Sequence, residues 1–180
     1  MDLTRNFIKA KQPCADGFRW FLRHCQEGSN YQNLLDALVD AGRVNDACWL
    51  LDKFGPTNET LTLDHVSATA IVFAGRLEGR GNIDVDSVVR VGQRLHSGGS
   101  ISVGEALVSG DDIVCAGHIR SHGSVVSGGR LRAGWGVETG RELSVRADLQ
   151  VAWDVRCGGH LRLGGQAWVG RDVAVQGSID

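Results

Sequence analysis

An aliphatic residue stands at every sixth position from residue 71 to residue 179 of this 180-residue chain. The series comprises Ile71, Leu77, Ile83, Val89, Leu95, Ile101, Leu107, Ile113, Ile119, Val125, Leu131, Val137, Leu143, Leu149, Val155, Leu161, Ala167, Val173 and Ile179. A fixed short period is typical of a solenoid, because each repeat is too small to bury its apolar face alone and must stack on its neighbours. The period therefore predicts the fold of most of the chain.

Each six-residue repeat is interpreted as one short strand followed by a corner. A second small or branched residue stands two positions after each aliphatic one, as Val103 does after Ile101. Alternation by two is the period of a β-strand. Glycine commonly comes next, as at Gly104 and Gly134, and we expect it to supply the backbone freedom that a corner needs.

Three such repeats would close a triangular coil of about 18 residues, with residues 18 apart stacked at the strand spacing of about 4.8 Å. Two outward series alternate in charge at this spacing: Asp112, Arg130 and Asp148, and Arg120, Glu138 and Arg156. Opposite charges across neighbouring strands are favourable and like charges are not. The sequence therefore predicts a parallel β-helix of about six coils over residues 59–180.

An aromatic and arginine column is the candidate protein-binding site. Trp135 and Trp153 are 18 residues apart at a corner where earlier coils have glycine, and Arg171 follows in the same column. Stacked rings with a guanidinium on top would form a cation–π ladder. Because Trp and Arg dominate interface hot spots, we predict contact through these residues and the nearby Trp168. A ladder that only stabilises the corner is the alternative interpretation.

Outward positions on one side of the predicted coil are apolar rather than polar. They are Val72, Val88, Ala106, Val108 and Val126. An apolar stripe is normally covered. We expect the helices of residues 13–54 to cover it, with a symmetry mate or a foreign partner as alternatives.

The last repeat is the candidate self-association surface. The chain stops in the middle of a repeat, and no capping sequence follows Val173, Val175 and Ile179. An open coil end has unpaired N–H and C=O groups, which natural proteins cover or use. We therefore expect a homodimer that pairs end to end through this coil.

Residues 1–58 are predicted to form a three-helix capping domain. Phe18 and Phe21 lie in the first helix, and apolar residues recur at helical spacing from Tyr31 to Val39 in the second. Gly42 can end the second helix, and the third stops near Pro56. Glycines are concentrated after this part, which marks the boundary between two domains.

Charge and composition exclude several classes of function. The net charge of −2 and the pI near 6.3 show no basic surface for nucleic acid or anionic membranes. No apolar run has the length of a signal peptide or a membrane span, so a cytoplasmic protein is expected.

The cysteines do not predict a metal or disulfide framework. They are odd in number and show no CxxC spacing, so we interpret them as small buried hydrophobes. Cys14, Asp16, His24 and Cys25 include the residue types of a nucleophile pair or half a metal site, but no further ligand stands at a recognisable spacing. We therefore predict no catalytic residue, metal or cofactor.

Two segments of the helical part are distinctive: PCADGFRWFL, Pro13 to Leu22, and DACWLLDKFG, Asp46 to Gly55. They resemble the opening of a group of small uncharacterised bacterial and phage or prophage proteins, in which a helical start precedes a glycine-rich repeat. No catalytic residues come with this resemblance.

The repeat itself carries a second resemblance. The pattern G-x-[ILV]-x-[VSA]-G, as in Gly99 to Gly104 and Gly129 to Gly134, resembles the bactofilins, which are polymer-forming bacterial proteins. The resemblance implies a right-handed triangular β-helix of this coil length over about residues 71–179. The helical domain replaces the short disordered tail of that family, and a capped end cannot polymerise.

These observations favour a non-enzymatic binding protein that docks on another protein assembly. The helical resemblance motivates a phage or prophage inhibitor of a host defence complex, such as an anti-CRISPR acting on a CRISPR effector. A bactofilin-like self-assembling scaffold is the alternative. A hexapeptide acyltransferase is more remote, because the small residue stands at plus two instead of plus four and no loop interrupts the repeats to form an active site.

Overall fold

The computed structural model describes residues 2–3, 5–24 and 29–180. The chain divides into two compact units, Met1–Gly55 and Pro56–Asp180. The first unit is helical and the second is a parallel β-solenoid of about six coils, as the sequence predicts.

Four α-helices lie in the described part of the first unit. They are α1 (Arg5–Ala10), α2 (Ala15–His24), α3 (Tyr31–Asp40) and α4 (Val44–Phe54). Two short strands, β1 (Asp2–Leu3) and β2 (Ser29–Asn30), pair in antiparallel fashion. The three predicted helices correspond to α2, α3 and α4. Helix α1 was not predicted, because its six residues are too few to show a helical period. None of these helices has the length and apolar character that crossing a membrane requires.

Helix α3 shows how the local sequence sets the ends of these helices. The Asn30 side chain accepts a hydrogen bond from the Gln32 N–H at 2.9 Å and so caps its first turn. Beyond its last residue, Gly42 takes a φ of 71°, a conformation that favours glycine. Buried leucines of α3 and α4 form the core of the unit: Leu34, Leu35, Leu38, Leu50 and Leu51.

The described strands of the second unit pair in parallel and form three walls. Wall 1 contains β3 (Thr60–Leu63), β6 (Arg76–Gly79), β9 (Leu95–Ser97), β12 (Ile113–Cys115), β15 (Leu131–Ala133), β18 (Leu149–Val151) and β21 (Ala167–Val169). Wall 2 contains β4 (Val66–Ala68), β7 (Ile83–Val85), β10 (Ile101–Val103), β13 (Ile119–Ser121), β16 (Val137–Thr139), β19 (Val155–Cys157) and β22 (Val173–Val175). Wall 3 contains β5 (Ile71–Phe73), β8 (Val88–Val91), β11 (Ala106–Ser109), β14 (Val125–Ser127), β17 (Leu143–Val145) and β20 (Leu161–Leu163).

The pairing register is 18 residues from β5 onward, which confirms the predicted coil length. Arg120 pairs with Glu138, and Glu138 pairs with Arg156. The first coil is shorter, because Leu61 pairs with Leu77 and Val66 with Ile83. The inward residues of this coil therefore recur every five positions instead of six, and the six-residue period did not reveal β3 and β4.

The aliphatic series forms the core of the solenoid. Every member from Leu77 to Leu161 is at most 2% exposed. Ile71 is half-buried, whereas Ala167, Val173 and Ile179 in the last coil are exposed.

Small polar residues also point into the core, and their hydrogen bonds explain their presence. The hydroxyl of Ser121 donates to the Glu105 carbonyl at 2.9 Å, and the hydroxyl of Ser127 donates to the Asp111 carbonyl at 3.1 Å. The Cys115 thiol contacts the Gly99 carbonyl at 3.1 Å in the same way. Each side chain thus satisfies a corner carbonyl 16 residues earlier, and the buried polar group is not left unpaired.

The predicted reason for the corner glycines was wrong. Among the described glycines, only Gly42 and Gly55 have a positive φ, and both follow helices. A Cβ added at Gly104 would instead overlap the carbonyl oxygen of Asp86 in the coil before it. Close approach between coils explains this glycine better than a special backbone conformation.

Replacing Leu131 by alanine should destabilise the solenoid strongly. Leu131 is fully buried between neighbouring coils, so we expect the free energy of unfolding to fall by about 2–5 kcal/mol in chemical denaturation. Ser102→Ala, at an exposed position of β10 on wall 2, is the control and should change it by less than about 0.5 kcal/mol. Equal effects of the two substitutions would contradict the assigned core.

Candidate functional site

The predicted aromatic ladder is present at the corner between wall 1 and wall 2. The rings of Trp135 and Trp153 lie 5.6 Å apart, centroid to centroid, with an angle of 7° between their planes. The guanidinium carbon of Arg171 lies 4.7 Å from the centroid of the Trp153 ring. This distance is that of a cation–π contact. We call Trp135, Trp153 and Arg171 the tryptophan edge.

Backbone hydrogen bonds between coils hold the tryptophan edge in place. The Trp153 N–H donates to the Trp135 carbonyl at 3.1 Å, and the Arg171 N–H donates to the Trp153 carbonyl at 3.3 Å. The His118 ring lies 5.0 Å from the Trp135 ring and 6.3 Å from the Trp153 ring, centroid to centroid, and is nearly perpendicular to both. The rings are therefore ordered before any partner arrives.

The fourth residue of the predicted binding group lies outside this column. Trp168 is in β21 on the face of wall 1, in register with Gln150. The exposed fractions of Trp135, Trp153 and Trp168 are 49%, 41% and 49%. Three indole rings thus keep much of their surface in solvent, two on the corner and one on the adjoining wall.

The charged residues of wall 2 beside the tryptophan edge neutralise one another. Arg120 Nε lies 3.1 Å from a carboxylate oxygen of Glu138. Arg156 lies 4.0 Å from the carboxylate of Asp154. This wall therefore offers paired charges to a partner.

Wall 1 has a polar depression that the sequence did not reveal. Its volume is about 330 Å³, and its lining includes Arg94, His96, Asp112, Val114, Arg130, Arg132 and Gln150. Asp112 accepts hydrogen bonds from an Arg94 nitrogen at 3.0 Å and from the Arg130 backbone N–H at 2.8 Å. Partial burial raises the pKa of Asp112, but these hydrogen bonds and the charges of Arg94 and Arg130 outweigh it and lower the pKa overall.

Several corner side chains accept a backbone N–H from the residue 18 positions later. Asp112 binds the N–H of Arg130 in this way, and His118 Nδ1 binds that of Gly136 at 3.1 Å. Further examples are Asn82, Ser100, Asp148, Asp154 and His160. Two histidines that the sequence left without a role thus have a structural one at the corners.

The predicted apolar stripe lies together on wall 3. Val72, Val108 and Val126 are in β5, β11 and β14, and Val88 and Ala106 begin β8 and β11 in register with each other. Val72 is 3% exposed and the other four residues are half-buried.

The predicted self-association residues lie on the last coil. Val173 is 46% exposed and Val175 is half-buried, both in β22. Ile179 forms an isolated bridge to Leu161 and is 62% exposed. These apolar side chains therefore keep part of their surface in solvent.

Cys14, Asp16 and His24 each have separate local contacts. The Cys14 sulfur accepts the Gly17 N–H at 3.2 Å, Asp16 lies 3.6 Å from Arg19, and His24 stacks on Trp20. Cys25 lies outside the described residues. No three His, Cys, Asp or Glu side chains converge as a metal site within the part of the chain that the structure describes.

The helical unit has an apolar cavity that the sequence analysis did not predict. Its volume is about 290 Å³, and Cys14, Trp20, Phe21, Leu38 and Trp49 contribute to its lining. The helical period indicated that these apolar side chains face inward, but it could not show that the four helices leave space between them.

A family model described as the YdhT N-terminal domain matches residues 1–55. The match covers the helical unit, which is less than a third of the chain. No curated protein and no solved structure matches the chain at a significant level. The similarity therefore concerns the first unit alone.

Alkylation should distinguish the cysteines by burial. Cys14 is exposed, whereas Cys115 and Cys157 are buried, and burial raises the pKa of the Cys115 thiol to about 11. Because the thiolate is the reactive form, iodoacetamide at about pH 8 should label Cys14 in the folded protein and leave Cys115 and Cys157 unlabelled.

Peptide mass spectrometry checks this outcome, and unfolding in denaturant is the control, since all three thiols should then react. Labelling of Cys115 at the rate of Cys14 in the folded protein would contradict the assignment of Cys115 to the core.

Proposed function

We propose that the solenoid is a non-enzymatic protein-binding module that docks through the tryptophan edge and the adjoining face of wall 1. The observation that carries the proposal is the ordered, exposed stack of Trp135 and Trp153 beneath Arg171. Trp and Arg are the residue types most enriched among interface hot spots.

The geometry of the edge favours recognition at low entropic cost. The coils fix the backbone on both sides of each ring, so a partner does not have to order flexible loops. A ladder that only stabilised the corner would have the same internal contacts. Trp135 and Trp153 are 49% and 41% exposed, and this exposed surface is the area that a partner can still bury.

The class of partner in this proposal is a protein assembly. We propose a phage or prophage inhibitor of a host defence complex, of the anti-CRISPR type, that acts in the cytoplasm. The support for this part is the resemblance of Pro13 to Leu22 and Asp46 to Gly55 to phage and prophage proteins. The contacts of the solenoid support protein binding in general.

Trp153→Ala should weaken the complex with such a partner. The substitution removes the ring that contacts both Trp135 and Arg171, so a loss of at least about tenfold in affinity is expected for a central hot spot. Arg162→Ala, at an exposed position of wall 3, is the matched control and should bind as the parent does.

The experiment has two steps. Proteins enriched from a bacterial lysate by both the tagged parent chain and Arg162→Ala are identified, and the most strongly enriched one is purified. Its dissociation constants are then measured by calorimetry. Equal affinities of the parent and Trp153→Ala for that purified protein would remove the tryptophan edge from the proposal.

A second candidate function is self-association, as in a bactofilin-like scaffold or an end-to-end homodimer. The observation that favours it is the exposure of core-directed apolar side chains on the last coil, Val173 and Ile179 among them. Burying such side chains against a second copy would remove apolar surface from water.

Sedimentation of this 180-residue chain tests the second candidate. We expect the parent to form a discrete dimer and Ile179→Lys to sediment as a monomer, because a charge would be buried in the interface. Ser144→Lys on wall 3 is the control and should remain dimeric. A monomeric parent at the highest attainable concentration contradicts self-association, and growth into filaments would favour the scaffold over the dimer.

A further inference from the structure

The lining of the depression on wall 1 contains more arginines than carboxylates. Among the ion pairs formed by the described residues, Asp112 is bound to Arg94, and none involves the side chains of Arg130 or Arg132. Both arginines are exposed. Three arginines and one carboxylate line the same depression, which is therefore positive overall.

This depression continues into a second one of about 430 Å³. The two share Arg132 and Gln150, and the second reaches Trp168. Together they form one groove on wall 1, which we call the wall 1 groove. Each wall 1 strand from β9 to β21 contributes one outward residue to it, in the order His96, Val114, Arg132, Gln150 and Trp168.

The dimensions of the groove match an extended chain. Five strands at the usual spacing span about 19 Å, which is the length of about six residues in extended conformation. The short side chain of Val114 lies between those of His96 and Arg132 in register and leaves space there. The groove is therefore long, shallow and open to solvent.

The chemistry of the groove selects the occupant. Guanidinium groups bind carboxylates through paired N–H donors, the Gln150 amide can both donate and accept, and the exposed Trp168 ring offers an apolar surface. Asp112 is bound to Arg94 at 3.0 Å, and Arg132 has no carboxylate partner among the described residues, so its guanidinium can bind an external acid.

We propose that the wall 1 groove binds an acidic, extended segment of the partner protein, with Arg130 and Arg132 on its carboxylates and Trp168 on an apolar side chain. The proposal rests on the proposed function and specifies the chemistry of the partner. A nucleic acid is a poorer fit, because the chain has a net charge of −2 and phosphate backbones require a longer basic track.

A short synthetic peptide of glutamates around one leucine is the probe, and its glutamine counterpart is the neutral control. In titrations followed by two-dimensional NMR, the acidic peptide should shift the backbone amides of Arg130, Arg132 and Gln150 and the indole N–H of Trp168. The glutamine peptide should not. Raising the salt concentration should weaken binding, because exposed charges are screened.

Charge variants locate the interaction. Arg130→Gln with Arg132→Gln should weaken acidic-peptide binding by about tenfold or more, because both charge-assisted contacts are removed. Arg141→Gln with Arg146→Gln removes the same charge from two exposed corner arginines that are absent from the groove lining and should leave binding unchanged. Unaltered spectra away from the groove show that each variant is folded.

Three results would overturn the proposal. They are the absence of shifts on wall 1, an equal loss in the Arg141 and Arg146 variant, and displacement of the peptide by an oligodeoxythymidylate that binds the same residues more tightly. The outcomes also separate this proposal from the previous one. If the acidic peptide binds but Trp153→Ala leaves partner affinity unchanged, the wall 1 groove is supported as a binding site and the tryptophan edge is not. If Trp153→Ala weakens the complex but the acidic peptide does not bind, only the tryptophan edge is supported.

Discussion

The alignment of each residue with the residue 18 positions away is the constraint on which the solenoid depends. Side chains alternate between core and solvent, so a slip of one residue would turn every buried aliphatic side chain outward. The full burial of Leu131 and Leu149, which pair directly, shows how strongly the core enforces this register. Since the same register stacks outward residues in columns, the surface chemistry of the solenoid is set column by column.

The corners show how one column position takes different chemistry along the chain. At the corner between walls 1 and 2 the column is Gly81, Gly99, Gly117, Trp135, Trp153 and Arg171. The glycine part is flat, and the indole rings appear only where two of them can stack. A single exposed tryptophan would expose both faces of its ring to solvent. In the stack, the faces that the rings turn toward each other and toward the guanidinium are covered, and the ring edges remain available for contact.

Much of this architecture could be predicted from sequence because it depends on periodicity. The spacing of Trp135 and Trp153 was sufficient to predict that their rings stack, since the 18-residue register places both residues in one column. The predicted solenoid began at residue 59, but the strands of the first coil could not be assigned, because Leu61, Val66 and Ile71 recur at five positions. The wall 1 groove could not be predicted, because it depends on which partner each long side chain contacts. Arg94 contacts Asp112, whereas Arg132 contacts no carboxylate among the described residues. Charge alternation at 18 residues predicted favourable columns but not which arginine each aspartate contacts.

The three walls differ in the interactions with water that they would lose, and in those that they would gain, on contact with a partner. On wall 2, Arg120 and Glu138 already bind each other, so covering them would remove their hydration with no new hydrogen bond in return. On wall 3 the stripe from Val72 to Val126 is apolar and partly buried, and it has little polar specificity to offer. On wall 1, Arg132 can exchange its hydration for a charge-assisted hydrogen bond that only an external acid can supply. Because this arginine lies between exposed tryptophans of the same wall and the adjoining corner, wall 1 is the one of the three where polar specificity and apolar contact area occur together.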